Sequence, residues 1–414
     1  MFGPITMFDK SALEGLNPDE ALWFDNFYRT TITPLFFVET LADLEKEVAA
    51  GRSPEQVVGA IASKAPIQNG LPNVHHQALA LNELLGRPVE MRYFPVVAGG
   101  KTVSSGEKRG LVFDSMPEFD AFQRWQDGQF LEIERGFAVH WRRALSDLDL
   151  HSIYTAFHRP RGHGLSDFVR IKAEADRLLR RDGWRYHTLL GTLDALKTPG
   201  EMRAEILGRW RAAGGPALHE FAPYAAHVMT VDLVFNLGIG ADLISRDRPS
   251  NKIDIAYLYY LPFCMVFVSN DKLHARVVPC FLTSQQMFIS GSDVKQDLAK
   301  IDAYYSTLPA DVRGRGLYHF AAYPPDGDYL VTALWDRYLP AWRENKKRKE
   351  DTKLTPEAER KLVEHLNRTT SAPTDTSGIE IDEQSADFVS IRRLVPYQRG
   401  KWQVLPPEVR KAGA

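Results

Sequence analysis

Four acidic residues stand where a parallel β-sheet would gather them at one edge. Asp9 ends the first strand-like run of the chain, and Asp271 follows a later one. In open α/β sheets, ligands bind in the crevice at the carboxyl ends of the strands, so we expect these two side chains to converge. Glu39 lies in the first turns of a predicted helix, and Asp254 begins another. Whether these two join the first pair depends on the fold.

Carboxylates crowded into one crevice repel each other, and divalent cations commonly neutralise them. Oxygen ligands with open coordination positions suit Mg²⁺ or Mn²⁺ and leave room for a substrate phosphate and water. The sequence therefore predicts a metal site built from Asp9, Glu39, Asp254 and Asp271. For Asp9 and Asp271 taken singly, a strand-end turn or a helix cap is the alternative. Asp232, in an apolar helix, is a reserve ligand.

The segments around these residues alternate between strands and helices. Ile5 to Phe8 and Thr30 to Thr33 have the composition of strands, and a helix carrying Glu39 follows the second. Met265 to Val268 predicts a buried strand, and Gln286 to Ser290 predicts another. Strands separated by helices imply right-handed crossovers and a mainly parallel sheet. The predicted class is therefore α/β.

Local signals mark further elements. Asn17-Pro18-Asp19-Glu20 and Ser53-Pro54-Glu55-Gln56 both have the capping-box pattern of a helix start. Pro88 to Val97 and Gly110 to Phe113 are candidate strands of a small hairpin, and Phe388 to Leu405 predicts a terminal hairpin.

The overall composition is that of an ordinary globular protein. The 414 residues include 51 Lys and Arg against 53 Asp and Glu, so net charge indicates no partner. Two cysteines are too few for a disulfide framework in a chain of this length. The first residues lack the basic start and apolar run of a signal peptide. The longest apolar stretch, Ile255 to Val268, contains Pro262 and is shorter than the about 20 residues that span a bilayer. We expect a soluble, cytoplasmic protein.

The densest cationic stretch runs from Arg159 to Arg185 and includes Arg177, Arg180 and Arg181, with Trp184 nearby for stacking. Such an arrangement could follow a nucleic-acid backbone. A solvated helix face is an equally weighted alternative. The chain contains no P-loop, zinc-type cysteine pattern, G-x-S-x-G or H-E-x-x-H motif. The four carboxylates therefore remain the only coherent candidate site.

The segments around these carboxylates also form a pattern as a set. Ile5-Thr6-Met7-Phe8-Asp9-Lys10-Ser11 resembles the opening strand of the PIN-domain nucleases, a family in which Ser or Thr follows an Asp by two positions. Ile32 to Leu41 resembles the second element, a short strand leading into a helix with an acidic residue. Asp254 to Asp271 resembles the third and fourth elements: an Asp, an apolar helix, a buried strand and a terminal Ser/Thr-x-Asp.

The resemblance covers about residues 4–48 and 249–302 and implies a PIN-like three-layer αβα core with a mainly parallel sheet. Residues 1–48 and 249–302 would form this core. Residues 49–248 would be a mostly α-helical insertion domain with a small β-hairpin. Residues 303–414 would be a C-terminal extension with a charged helix, a linker and a terminal hairpin.

The resemblance also implies a function, namely an Mg²⁺- or Mn²⁺-dependent endoribonuclease that hydrolyses RNA phosphodiester bonds by a two-metal mechanism. A toxin-like or antiviral setting rests on the analogy alone. A non-catalytic RNA-binding or assembly protein that keeps the fold and a DNA-directed nuclease with the same site are the alternatives. Besides RNA, a homo-oligomer partner and an inhibitor protein stay open.

Residue roles follow from the same resemblance. Asp9, Asp254 and Asp271 would be direct metal ligands, and Glu39 would bind a metal directly or through water. The residues that would orient a ligand or the phosphate are Ser11 or Ser269.

Overall fold

The computed structural model describes residues 3–97, 101–105, 108–113, 117–158, 164–351, 388–391 and 397–405. Within these residues the strands are, in chain order, β1 (Ile5–Phe8), β2 (Arg29–Ile32), β3 (Leu71–Pro72), β4 (Lys101–Ser105), β5 (Lys108–Phe113), β6 (Val266–Ser269), β7 (Met287–Ser290), β8 (Phe388–Ile391), β9 (Gln398–Arg399) and β10 (Trp402–Gln403).

Helices make up most of the remaining described chain. The α-helices are α1 (Lys10–Glu14), α2 (Pro18–Phe27), α3 (Pro34–Ala49), α4 (Pro54–Ala62), α5 (His76–Leu84), α6 (Pro117–Gln126), α7 (Glu132–Ser146), α8 (Leu150–Phe157), α9 (Phe168–Leu179), α10 (Arg185–Ala195), α11 (Gly200–Ala212), α12 (Leu218–Phe221), α13 (Pro223–Gly240), α14 (Asn251–Ala256), α15 (Lys272–Val277), α16 (Gly291–Ser306), α17 (Ala310–Gly314), α18 (Leu317–Phe320), α19 (Leu330–Tyr338) and α20 (Trp342–Asp351). Two 3₁₀ helices span Tyr257–Phe263 and Val278–Cys280.

A five-stranded sheet in the order β3-β2-β1-β6-β7 forms the centre of the fold. Every neighbouring pair in it is parallel. The register pairs Phe8 with Val268, so β1 and β6 end side by side. The α/β class and the parallel sheet that the sequence predicts are therefore confirmed.

Apolar cores lie on both faces of this sheet because alternate strand residues point in opposite directions. One core contains residues of α5, α9 and α13, and the other contains residues of α2, α4 and α16. The buried strand residues in the first core are Ile5, Met7 and Phe267, and those in the second are Phe8, Ile32, Val266, Val268 and Ile289.

The two capping boxes begin helices as predicted. The side-chain oxygen of Asn17 accepts from the main-chain nitrogen of Glu20, and the Glu20 carboxylate accepts from Asn17 N, each at 2.8 Å. Ser53 and Gln56 make the same exchange at the start of α4. Each box satisfies main-chain donors that a helix start otherwise leaves without partners.

One predicted strand assignment is wrong, and the predicted terminal hairpin is confirmed in part. The segment from Pro88 to Val97 contains no strand, and its prolines at 88 and 95 lack the donor that a ladder needs. The hairpin next to it is instead β4 with β5. In the predicted C-terminal segment, β9 and β10 form the expected terminal hairpin, whereas β8 at its start pairs in parallel with β5.

Segments outside the two core stretches also contribute to the central layers. Within the predicted insertion, β3 adds the outer strand next to β2, and α13 packs in the same core as Met7. Within the predicted extension, Trp335 and Trp402 are buried in the other core. The predicted linker from Thr369 to Gly378 lies outside the described residues. Among the described residues, none of the helices is long and apolar enough to cross a bilayer.

Candidate functional site

Asp9 sits at the carboxyl end of β1 and is also the N-cap of α1. One carboxylate oxygen accepts from Ala12 N at 2.9 Å. The hydroxyl of Ser11 lies 2.8 and 2.9 Å from the two oxygens, and that of Ser269 donates to Oδ2 at 2.6 Å. Burial alone would raise the pKa of Asp9, but the hydrogen bond and charge of His274, with the Ser269 bond, hold it below its ordinary value.

Asp271 follows β6, the neighbour of β1, and caps α15. Its Oδ1 accepts from the main-chain nitrogens of Leu273 at 2.5 Å and His274 at 3.3 Å. Asp9 and Asp271 thus occupy adjacent strand ends, and both also cap helices. Each of the two residues is therefore a helix cap, as the alternative interpretation expects, and each also lies at the sheet edge where the sequence predicts the site.

Glu39 reaches this edge from α3. Its Oε2 accepts from the hydroxyl of Tyr257 at 2.7 Å and from the main-chain nitrogen of Lys10 at 3.4 Å. Burial raises the pKa of Glu39 to about 8, with further increases from the charges of Asp9 and Asp254 and an opposing effect of the Tyr257 bond.

Asp254 approaches from α14. Burial raises its pKa to about 7; the charges of Asp271 and Asp9 act in the same direction, and the charge of His274 opposes them. The fold therefore brings together all four carboxylates, which come from two strand ends and two helices. We call Asp9, Glu39, Asp254 and Asp271 the acidic edge.

His274 is a member of the site that the sequence interpretation missed. It is fully buried, with Nδ1 at 2.8 Å from Ser269 Oγ and 3.3 Å from Asp9 Oδ2. Its Nε2 lies 2.6 Å from the main-chain oxygen of Asp254. Burial alone would lower the pKa of His274, but bonding to Asp9 and the charge of Asp9 raise it to about 9. The available signal was its place one turn after Asp271, at the start of the helix that follows β6.

The acidic edge has the oxygen donors of a site for a hard cation. In the described part of the chain, no group of three or more His, Cys, Asp or Glu side chains is already arranged around a common ion position. The donor chemistry thus fits Mg²⁺ or Mn²⁺, whereas a closed set of ligands is not preformed in the described residues.

The other predicted binding residues lie in different surroundings. Ser11 and Ser269 direct their hydroxyls to Asp9 and so orient a carboxylate. On the surface of α9, Arg177 forms two hydrogen bonds with Glu174 at 2.6 and 2.7 Å. The two arginines that follow α9 are Arg180, its C-cap, and Arg181, which stacks over Trp184 at 4.6 Å.

These arginines are not brought to the acidic edge by any contact found between described residues. The helix that carries Arg177 packs on α13. The reserve residue Asp232 also lies on α13, where Oδ1 is 2.5 Å from both Lys252 Nζ and Tyr259 Oη. Asp232 is therefore neutralised by a lysine of the chain itself.

A scan against protein-family models, a search of curated proteins and a search of solved structures each returned no match for this chain.

Proposed function

We propose that this chain is an Mg²⁺- or Mn²⁺-dependent nuclease with a PIN-like core, and that its substrate is RNA. The observation that supports the proposal is the acidic edge, where carboxylates that follow β1 and β6 and carboxylates from α3 and α14 act on one another electrostatically. Ligand crevices of parallel α/β sheets lie at this edge. The parallel sheet with apolar cores on both faces agrees with the αβα core that the resemblance implies.

The electrostatics of the edge favour a cation. Glu39 and Asp254 both have pKa values raised into the neutral range, to about 8 and about 7, because burial and neighbouring carboxylates penalise their charged forms. A divalent cation would relieve that penalty by supplying opposite charge. Perturbed carboxyl groups gathered in a crevice are a recognised feature of functional sites.

Three residues have carboxylate oxygens available for an ion. Within the described residues, Asp254 has no hydrogen-bond donor to its carboxylate, and Glu39 Oε1 and Asp271 Oδ2 have none either. These side chains would hold the cation, which when bound would supply Lewis-acid chemistry at the phosphate. Tyr257 fixes the second oxygen of Glu39 by donating to it.

The experiment is RNA cleavage by the purified full-length chain with Mn²⁺, Mg²⁺ or EDTA. Asp254→Asn and Asp271→Asn are the test variants. Asp293→Asn is the matched control, because Asp293 is an exposed residue in the first turn of the helix after β7. Cleavage that needs the cation, survives in the control and is lost in both test variants supports the proposal. Equal cleavage by all variants rejects it.

A non-catalytic RNA-binding protein is the second candidate, because no ion arrangement is preformed among the described residues. It predicts RNA binding that persists in Asp254→Asn, together with no cleavage by the wild-type protein at any cation. A single-stranded DNA substrate in the same assay distinguishes a DNA-directed nuclease, which would cleave the DNA faster than the RNA.

A further inference from the structure

One face of the helix α7 is fixed against the rest of the protein. The buried carboxylate of Glu134 accepts from Leu131 N at 2.8 Å and from Trp125 Nε1 at 3.1 Å, and it forms an ion pair with Arg124 at 2.7 Å. One turn further along, Ala138 is buried in the second core. These contacts, together with the packing of α7 on α3, determine which face of the helix points outward.

The outward face of α7 carries large apolar side chains. Ile133, Phe137 and Val139 are 63%, 50% and 45% exposed. At about 100° per residue, these three side chains occupy a little less than half of the helix circumference, opposite Glu134 and Ala138. A single exposed apolar residue needs no explanation, whereas several on one face are typical of an interaction site.

Gly136 lies in the middle of this outward face. A glycine inside a helix is less stable than an alanine, because its backbone loses more freedom on folding. A Cβ atom at position 136 would meet no atom within 4 Å in this chain, so packing within the chain does not require a glycine. The small residue instead allows the backbone of another molecule to approach closely.

Charges of opposite sign stand at the two ends of the outward face. Glu132 and Arg143 are both exposed, and Glu132 also contacts Arg135 of its own helix at 3.4 Å. Their separation of eleven residues is close to three turns, so they lie along one line of the helix, roughly 16 Å apart. An antiparallel second copy of α7 would place each Glu132 opposite the Arg143 of the other chain, with Gly136 facing Val139.

We propose that the outward face of α7 is the interface of a two-fold symmetric homodimer, in which α7 packs antiparallel against α7 of a second copy. A two-fold interface must be complementary to itself, and this face has an apolar centre with opposite charges at its ends. A single pair of helices buries less surface than a standard interface, so we expect reversible association with a dissociation constant of about 10–100 µM. The inference is independent of the proposed nuclease activity.

The test is sedimentation velocity of the full-length chain from about 2 to about 200 µM, a range that brackets the expected dissociation constant. Phe137→Asp places a charge within the apolar centre and should weaken association at least about tenfold. Val169→Asp is the matched control, because Val169 is an apolar residue that is 68% exposed on another helix, α9. It should associate as the wild type does. Circular dichroism confirms that each variant is folded.

Charge reversal tests the antiparallel arrangement. Glu132→Arg and Arg143→Glu each place like charges opposite one another at both ends of the interface, so each should weaken association about 3- to 10-fold. The double variant restores opposite charges and should recover most of the wild-type affinity. Within one chain the two side chains are separated by more than the Debye length of about 10 Å, so recovery can arise only between copies.

A wild-type protein that stays monomeric over the whole range would overturn the proposal and leave the face to another protein or another segment of this chain. Wild-type association of folded Phe137→Asp would overturn it as well. Additive losses in the double charge reversal would reject the antiparallel pairing. If Phe137→Asp does not fold, the wild-type association and the charge-reversal series decide the matter.

Discussion

Two carboxylates accept hydrogen bonds from tyrosines that stand two residues apart in the same 3₁₀ helix. Tyr257 donates to Glu39 at 2.7 Å, and Tyr259 donates to Asp232 at 2.5 Å. Asp232 has a cationic partner, Lys252, at 2.5 Å. Glu39 has no such partner among the described residues.

The lysine whose charge acts on Glu39, Lys10, forms its ion pairs elsewhere. Its ammonium group lies 2.7 Å from Asp43 and 3.3 Å from Glu14. Its charge lowers the pKa of Glu39 without an ion pair between them, and its main-chain nitrogen lies 3.4 Å from Glu39 Oε2. The comparison teaches that Asp232 is half-buried beside a lysine of the chain, whereas Glu39 has no cationic side chain within ion-pair distance among the described residues. The first is typical of a structural ion pair, and the second is typical of a binding site.

RNA cleavage should depend on the carboxylates of the acidic edge and not on Asp232. Asp254→Asn should reduce RNA cleavage by roughly 10²- to 10³-fold, since a cation contributes several kcal/mol of charge stabilisation. Asp232→Asn should retain most of the activity of the folded protein. Rates under saturating Mn²⁺ measure both. A large loss of cleavage in Asp232→Asn, with Asp254→Asn unaffected, would contradict the location of the cation site at the acidic edge.

The free energy of unfolding should change in opposite directions when Glu39 and Asp232 are each replaced by their amides. In EDTA at pH 8, Glu39→Gln should raise the free energy of unfolding by about 1–3 kcal/mol, because it removes a desolvated charge that has no cationic side chain in ion-pair contact. Asp232→Asn should lower it by about 1–2 kcal/mol, because Lys252 loses its partner. Urea denaturation gives both values. The same sign for both variants would refute the distinction.

Much of the fold could be predicted because its signals are local. The capping boxes at Asn17 and Ser53 and the buried runs at β1 and β6 need no distant partner to be recognised. The strand β3 could not be predicted, since it has two residues, one of them Pro72, and exists only by pairing with β2. The pairing of β8 with β5 joins segments far apart in sequence.

The residues of the acidic edge also differ in whether the sequence alone could place them there. Asp9 and Asp271 could be placed from the rule that parallel strands end at one edge. Glu39 and Asp254 lie on helices, so their convergence depends on how α3 and α14 pack against the sheet. His274 was missed because its role depends on three acceptors brought together by tertiary structure.

The ion pair between Lys252 and Asp232 can be tested by a double-mutant cycle. Lys252→Gln should cost about 1 kcal/mol, and Asp232→Asn in the Lys252→Gln background should cost less than it does alone, because the charges then no longer interact. Chemical denaturation of the four proteins gives the coupling energy. Strict additivity would show that Lys252 does not neutralise Asp232.

The smallest effect concerns the arginines of α9 and its C-terminal turn. Replacing Arg177, Arg180 and Arg181 by Glu should weaken RNA binding and reduce the slope of log affinity against log salt by about 2, if each contacts a phosphate. Binding titrations at several salt concentrations measure the slope. The matched control is the triple charge reversal of Lys346, Lys347 and Arg348 on α20. An unchanged slope in the arginine variant rejects this surface as the RNA-binding surface.

The charge of the acidic edge can be measured through the pH dependence of stability. In the folded protein, Glu39 keeps its proton from its ordinary pKa of 4.5 up to about 8, and Asp254 keeps its proton from 3.8 up to about 7. The unfolded chain loses both protons near the lower values. Folding therefore takes up protons, and without a cation this contribution to stability is lost as pH rises through that window. Cation binding needs the deprotonated carboxylates, so it should offset the loss at high pH.

The most direct test compares the free energy of unfolding in Mn²⁺ and in EDTA at pH 6 and pH 8. We expect Mn²⁺ to stabilise the wild-type protein and Asp293→Asn more at pH 8 than at pH 6, and to have little effect on Asp254→Asn. Identical stability in Mn²⁺ and EDTA at pH 8, or equal stabilisation of Asp254→Asn, would contradict a cation site at the acidic edge.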